Sequence, residues 1–377
     1  MRLGILGGGQ LGRMLALAAA PLGVSVRCLD EKKESPAAVA AQMHVASYTD
    51  STALTRFAEG LDVVTCEFEN VPAEASAALA ERLPVYPSPR ALAVASDRLA
   101  EKGFLREVGV PTATFAAVCT PEEATDAAQE LGVPLVLKSA RFGYDGKGQV
   151  WVREVHDAAA AFTQLGCSAA VAEAAVPFRR ELSILAVRGR DGTTVRYPLV
   201  ENYHEAGILR RSLAPAPGVS AATQAQAEQV VQRVLEGLDY VGVIAVECFE
   251  LADGGLAVNE IAPRVHNSGH WSIEGAETSQ FENHVRAVLG LPLGSTAPRG
   301  VSEMHNLIGK VPSREAVLHI PGAHLHLYDK TPRPGRKLGH VTVCAEDAAT
   351  LAERVAQLRA RLGDEVVGGA TRMQAHV

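Results

Sequence analysis

The 377-residue chain lacks an excess of positive charge, a paired cysteine motif, an internal repeat and any long apolar run. Each absence narrows what it can be. With 36 Lys and Arg against 43 Asp and Glu, the formal charge is −7. That argues against a nucleic-acid or anionic-membrane surface while leaving room for local basic clusters that bind phosphates. The six cysteines (Cys28, Cys66, Cys119, Cys167, Cys248, Cys344) form no CxxC pair. Several lie in apolar, strand-like runs, where a reduced thiol behaves as a small hydrophobe, so a reducing cytoplasm is expected. No uninterrupted apolar run approaches the roughly 20 residues of a membrane span. Arg2, the apolar residues after it and Ala18-Ala19-Ala20 faintly resemble a signal peptide. Gly7-Gly8-Gly9-Gln10 interrupts that stretch, and a strand–glycine–helix unit explains it better. A soluble protein is expected.

What is present is ordinary globular composition, long enough for two or three domains. The first part alternates strand and helix signals. Leu3–Leu6 reads as a strand, Leu11–Ala20 as a helix, Val24–Leu29 as a strand ending at Asp30, and Val63–Phe68 as another strand before an Ala-rich helix. Such βαβ alternation predicts a parallel, doubly wound sheet. Pro84, Pro87 and Pro89 mark a connector, and a helix from near Ser96 stops at Gly109 with Pro111 beyond. Thr120-Pro121-Glu122-Glu123 and Ser279 with Glu282 are capping boxes, closed by Gly132 and Gly290. Residues 135–260 are rich in strands and hairpins, and 300–377 predicts short strands with one helix at about 347–362.

Gly7-Gly8-Gly9-Gln10-Leu11-Gly12 satisfies GxGxxG between a strand and a helix, with Asp30 at the end of the next strand. Glycines let backbone N–H groups approach an anion at a positive helix end. Many α/β domains keep this turn only to pack strand on helix, so the motif alone leaves NAD(P) and a structural or other-anion role equally open.

The middle of the chain carries more chemistry. Lys138 closes the apolar strand Leu135-Val136-Leu137. The stretch Gly143-Tyr144-Asp145-Gly146-Lys147-Gly148-Gln149 after it can cover nucleotide phosphates as a lid of glycines and lysines. It is no Walker loop, since GxxxxGK[ST] is absent, and a solvated hairpin is the plainer alternative. Val243–Glu250 and Gly255–Ile261 read as strands joined across Asp253-Gly254. A two-residue turn there would set Glu247 directly opposite Glu260 on one face. Like charges so placed destabilise a hairpin unless a cation bridges them, and Mg²⁺ with nucleotide phosphates is the natural candidate. Asn259 adds a neutral oxygen. His266 and His270 stand four apart, but Asn267-Ser268-Gly269 between them argues for a loop and against a zinc pair. Arg264, His266 and Asn267 instead form a polar cluster beyond the proposed metal, where an acid being phosphorylated would sit.

Together these residues resemble the ATP-grasp superfamily and, more narrowly, the N5-carboxyaminoimidazole ribonucleotide synthetases of purine biosynthesis. The resemblance covers nearly the whole chain. It rests on Gly8-Gly9-Gln10-Leu11-Gly12, Glu67-Phe68-Glu69-Asn70-Val71, Asp97-Arg98 with Glu101-Lys102, and residues 143–149. It continues through residues 259–271 and Pro334-Gly335-Arg336-Lys337-Leu338-Gly339-His340.

The resemblance implies an α/β (α+β) chain: a Rossmann-like pre-ATP-grasp domain at 1–95, an ATP-grasp domain at 96–295 and a small C-terminal domain at 296–377. It implies that Lys138 and Arg98 contact ATP phosphates under the lid. Glu173, Ala174, Ala175 and Val176 would line adenine, Glu181 would hold the ribose, and His204 would lie near the nucleotide. Mg²⁺ would sit on Glu247 and Glu260. Arg264 and His266 would hold bicarbonate and carboxyphosphate, with Asn267 beside them. Tyr144 and Asp145 would orient the amine of 5-aminoimidazole ribonucleotide or accept its proton. Gln10, Leu11, Glu69 and Lys147 would face that ribonucleotide, with Lys330, Arg333, Arg336 and Lys337 near its phosphate. A homodimer is suggested by the same likeness. Competing readings are another ATP-grasp enzyme, such as formate-dependent glycinamide ribonucleotide transformylase or biotin carboxylase, an NAD-dependent dehydrogenase, and an inactive ATP-binding regulator.

Overall fold

The computed structural model describes residues 1–141, 143 and 147–363. The first strand, Arg2–Leu6, lies between Ser25–Asp30 and Val63–Cys66, and Gln42–Val45 completes a four-stranded parallel sheet. Alternate residues face opposite sides, and both sides are buried. Leu3 and Ile5 pack with Met14, Leu15 and Ala19 of the helix Gln10–Ala19. Leu6, Val64 and Cys66 pack with Phe57 and Leu79 on the other side. The expected doubly wound unit is therefore present.

Beyond it the sheets are antiparallel. A four-stranded sheet runs Phe115–Val118, Ala170–Ala174, Leu135–Ser139, Gln149–Val152, and the helices Pro121–Leu131 and Ala158–Leu165 share its apolar core. Thr120 caps the first helix by accepting from the Glu123 N–H, while Glu123 reaches back to the Cys119 N–H, one residue beyond the box. At the second box, Ser279 accepts from the Glu282 N–H, but the Glu282 side chain turns to Arg286 instead.

A nine-stranded antiparallel sheet forms the other wall. Its main path is Leu256–Ala262, Gly242–Leu251, Phe178–Arg188, Val200–Glu205, Ile208–Ala214, Val301–Ile308, Lys337–Ala345 and Ala323–Leu327. The pairing of Ile208–Ala214 with Val301–Ile308 carries it from the middle of the chain into the C-terminal part. Besides the expected helix, found at Ala348–Leu362, that part has a five-residue helix at Arg314–Leu318.

The helix Ala221–Gly237 buries Val230, Val231, Val234 and Leu235 against the strands carrying Ile184 and Ile244. A cleft of about 870 Å³ opens between the smaller sheet and the nine-stranded one.

Candidate active site

The hairpin that carries the two glutamates is built differently from the expectation, yet meets it. Leu251 N–H donates to Gly255 O, so the turn is the three residues Ala252-Asp253-Gly254, with Gly254 at φ +83°. Pairs near the turn are therefore Glu250 with Leu256 and Cys248 with Val258, one residue out of the expected register. A bulge then inserts Asn259, and Glu247 faces Glu260 after all. A two-residue turn was the wrong premise; the bulge restored the pairing.

The bulged residue is used twice. The Asn259 carbonyl oxygen accepts from Lys102 Nζ at 2.8 Å, and its side-chain Oδ1 accepts from Lys138 Nζ at 3.1 Å. Both lysines also pair with Glu173, at 3.4 and 3.1 Å. Burial alone would raise the Glu173 carboxyl, but the two ammonium groups hold it below its ordinary value. Burial pulls Lys102 down. Glu173, expected along adenine, thus also tethers the lysine expected on phosphate.

Arg98 opens the helix Arg98–Glu107 behind the cap of Asp97 and reaches Glu260 at 3.4 Å. A Cβ on Gly143 would come within 2.5 Å of Arg98 Nη1, which puts that lid glycine against the arginine. Glu101, one turn further, accepts from the Ile261 N–H at 2.5 Å. Burial pushes its carboxyl up to about 8, with Glu260 adding to the effect.

Past the hairpin, His266 Nε2 lies 3.0 Å from Glu247 Oε1. Burial would raise Glu247, yet the hydrogen bond from His266, with His204 and Lys337 nearby, outweighs it and holds the carboxyl below its ordinary value. Arg264 meets Glu69 at two points, Nε to Oε2 at 2.5 Å and Nη2 to Oε1 at 3.2 Å. Residues expected on different ligands are thus a bidentate pair joining the N-terminal sheet to the nine-stranded one. Asn267 exchanges two hydrogen bonds with Asn306, at 2.7 and 3.0 Å. His270 is buried and packs on His340, and the short 3-10 turn Asn267–Gly269 separates it from His266.

At the other end of the cleft Ala174, Ala175 and Val176 line the wall, and His204 pairs with Glu181. Phe178 and Phe249 stack at 4.6 Å beside them, with Trp151 from the smaller sheet opposite. Gln149 lines the cleft, whereas Lys147 and Gly148 lie outside its lining. Tyr144, Asp145 and Gly146 lie outside the described residues.

Near the C-terminus Lys337 lines the cleft, and Lys330 Nζ bonds Gln10 Oε1 at 2.7 Å. Arg336 donates to Thr331 O at 3.1 Å and Arg333 is exposed; neither lines the cleft. Gln10 and Leu11 face the cleft from the start of the first helix.

The glycine turn is already filled. Gly9 N–H donates to Glu67 Oε1, Gly12 N–H to Glu67 Oε2 at 2.6 Å, and Gly8 N–H to Asp30 Oδ2 at 2.8 Å. A side chain at Gly7, where φ is +108°, would collide with Glu67. The backbone donors that would hold a dinucleotide pyrophosphate hold two of the protein's own carboxylates instead. This leaves the dehydrogenase reading without its anion site.

Comparison with known proteins agrees with this geometry. Residues 103–281 match the ATP-grasp domain, residues 1–96 the ribonucleotide synthetase preATP-grasp domain, and residues 302–354 the phosphoribosylaminoimidazole carboxylase C-terminal domain. The N5-carboxyaminoimidazole ribonucleotide synthase of Pseudomonas aeruginosa is 51% identical over 360 residues, covering 96% of this chain and 99% of its own. The chain belongs to the N5-carboxyaminoimidazole ribonucleotide synthase family.

The solved synthetase of Thermus thermophilus superposes with a TM-score of 0.92 at 53% identity, covering 98% of this chain and 100% of that one. That of Aspergillus clavatus, in complex with ADP and 5-aminoimidazole ribonucleotide, gives 0.89 at 35% identity, covering 96% and 98%. The chain is thus an ATP-grasp ligase of α/β fold. At and behind this cleft, sequence reasoning quoted Glu101 and Lys102 only as part of the likeness and gave them no role, and it passed over Phe178 and Phe249. Glu101 and Lys102 had a local signal, two adjacent charges on an otherwise amphipathic helix. The two phenylalanines, 71 positions apart, had none.

Proposed function

We propose that this chain carboxylates the 5-amino group of 5-aminoimidazole ribonucleotide with bicarbonate at the expense of ATP. The products are N5-carboxyaminoimidazole ribonucleotide, ADP and phosphate, in de novo purine biosynthesis. Among the observations, one carries the reading furthest: Glu247 faces Glu260 across the bulge, flanked by Lys138, Arg98, Arg264 and His266 in one cleft. A carboxylate pair with cations on its outer sides suits phosphoryl transfer to a small anion.

ATP would lie with its base by Ala174–Val176 and Phe178, its ribose by Glu181 and His204, and its phosphates toward Lys138 and Arg98. Glu173 and Asn259 hold the Lys138 ammonium in place, so neutralising charge is positioned before the reaction begins. Glu247 and Glu260, with the Asn259 oxygen beside them, form a hard-oxygen donor set that fits Mg²⁺. Among the described residues no group of three or more His, Cys, Asp or Glu forms a closed metal cage, so phosphate oxygens would complete the coordination. When bound, Mg²⁺ neutralises charge on the transferred phosphoryl group.

Arg264 and His266 would hold bicarbonate as it attacks the γ-phosphate, forming carboxyphosphate and ADP. Tyr144 and Asp145 would orient the amine that captures the carboxyl group, or take its proton. Residues 143–149 would exclude water, to which carboxyphosphate is labile. Lys330 and Lys337, with Arg336 nearby, would hold the ribonucleotide phosphate, and Gln10, Leu11, Glu69 and Lys147 would face the rest of that ligand.

No described helix is long and apolar enough to cross a membrane. A cytoplasmic homodimer is the assembly we propose, to be read by sedimentation. The reaction is tested by ADP release with Mg²⁺-ATP, bicarbonate and the ribonucleotide, each omitted in turn. ADP formation that needs the ribonucleotide, with labelled bicarbonate fixed, supports the reading. ADP formed only with another acid or amine replaces the substrate.

A further inference from the structure

A row of buried polar side chains runs behind His266. Ser212 Oγ lies 2.7 Å from Asn202 Oδ1, Asn202 Nδ2 lies 2.9 Å from Ser183 Oγ, and Ser183 Oγ lies 2.8 Å from Ser268 Oγ. Ser268 Oγ ends the row 2.8 Å from His266 Nδ1. The three serines are 0% exposed and Asn202 is 7% exposed. On its far side the ring presents Nε2 to Glu247. The row spans three neighbouring strands of the large sheet and the short turn Asn267–Gly269.

Each hydroxyl has one hydrogen to donate, so such a row has two self-consistent directions. In one, Ser212 donates to Asn202, Asn202 to Ser183, Ser183 to Ser268 and Ser268 to Nδ1, leaving the ring hydrogen on Nε2. In the other the amide is turned over, every arrow reverses, and Nδ1 carries the hydrogen. The backbone breaks the tie. The Ser268 N–H points at the same Nδ1, at 3.3 Å, where His266 caps the turn. A hydrogen on Nδ1 would face that N–H head-on, so Nδ1 offers its lone pair and Nε2 carries the hydrogen.

We infer that Ser268, backed by Ser183, Asn202 and Ser212, is a positioning residue that fixes His266 as the Nε2–H tautomer, so that the ring donates a hydrogen bond into the cleft and does not serve as a general base. In this structure the acceptor of that hydrogen bond is Glu247 Oε1 at 3.0 Å. The inference deepens the function proposed above and rests on it for the step in which a bicarbonate or carboxyphosphate oxygen takes the place of Glu247. It leaves removal of the amine proton to another group.

The test uses full-length protein labelled with ¹⁵N-histidine, its ring resonances read without substrates, the His266 signals being assigned by their loss in His266→Gln. The wild type should show hydrogen on Nε2. Ser268→Ala should bring in the Nδ1–H form and lower kcat/KM for bicarbonate about tenfold, with the KM for ATP unchanged. Ser183→Ala, which keeps the Ser268 hydroxyl and N–H, should shift both readouts less, and it stands in should Ser268→Ala fail to fold. His266→Gln should retain more activity than His266→Ala, because an amide N–H replaces the ring donor but no base. Hydrogen on Nδ1 in the wild type, or a ring spectrum that neither serine variant alters, overturns the assignment. Normal tautomer signals in a protein that never uses bicarbonate would overturn the proposed reaction and leave the assignment standing.

Discussion

Two places in this molecule offer charge to an anion, and only one is open. At the N-terminal glycine turn, backbone N–H groups converge at a helix start, yet the carboxylates of Glu67 and Asp30 already satisfy them. In the cleft, Lys138, Arg98 and Arg264 are held by Glu173, Glu260 and Glu69, all at the lining of a space wide enough for a nucleotide. The first place has the better motif and the second has the site. A glycine fingerprint states that backbone comes close to something negative; it does not state that the negative group is a ligand. In the cleft, by contrast, the partners of the cations sit beside open volume, where phosphates can share or replace them.

The sharpest way to test that contrast is to remove one carboxylate from each place. Glu260→Ala should lower ATP turnover on the order of 10³-fold while the fold survives, because the group is part-exposed and its loss leaves only Arg98 unpaired. Thermal melting and ADP release together read this, and a variant that keeps more than a tenth of its activity would remove Glu260 from the reaction centre. Lys102→Met comes next. It strips a fully buried cation from Glu173 and from the Asn259 carbonyl, and should cost roughly 3 kcal/mol of stability in a denaturant titration. Its KM for ATP should rise about tenfold as Lys138 loses its fixed partner geometry. A smaller cost follows at the glycine turn, where Glu67→Gln keeps one acceptor oxygen for two N–H groups and should lose roughly 1–2 kcal/mol. NADH fluorescence titration should detect no binding to wild type or variant; binding to wild type would erase the distinction between the two places.

How much of this was legible in the sequence depended on the distance over which each feature acts. Caps and stops are local, so Thr120, Ser279, Gly132 and Gly290 were found where helices begin and end. The parallel first sheet followed from alternation over a few tens of residues. The glutamate pair lies 13 positions apart, and its recovery was partly fortunate: a three-residue turn and a one-residue bulge displace the register in opposite senses and cancel. Nothing local predicts a bulge at Asn259, yet that bulge brings its carbonyl to Lys102 and its amide oxygen to Lys138. The Arg264–Glu69 pair, 195 positions apart, could not be read at all. Family likeness named both residues but assigned them to different ligands, bicarbonate for Arg264 and the ribonucleotide for Glu69. The occupation of the glycine turn by Glu67 was equally invisible, since Glu67 read as the end of a strand.

The smallest expected effect concerns Lys330, which stands between the two places. Its ammonium bonds Gln10, the first residue of the helix that starts at the glycine turn, while its neighbour Lys337 lines the cleft. Burial, reinforced by Arg336, Lys337 and Arg333 and opposed by Glu67, pulls its pKa down to about 8. The sign follows directly. Below pH 8 the group is charged and would attract the ribonucleotide phosphate proposed to bind beside it; above it the charge is lost and that attraction would weaken. Bound phosphate favours the ammonium form, so the effect belongs to free enzyme and should appear in kcat/KM for the ribonucleotide rather than in kcat. A fall of about threefold between pH 7 and 9 is expected, with kcat/KM for ATP flat over the same range. Lys330→Arg stays charged throughout and should flatten the ribonucleotide profile. A wild-type profile already flat would place the phosphate beyond the reach of Lys330 and nearer Lys337, deeper on the cleft side of the comparison.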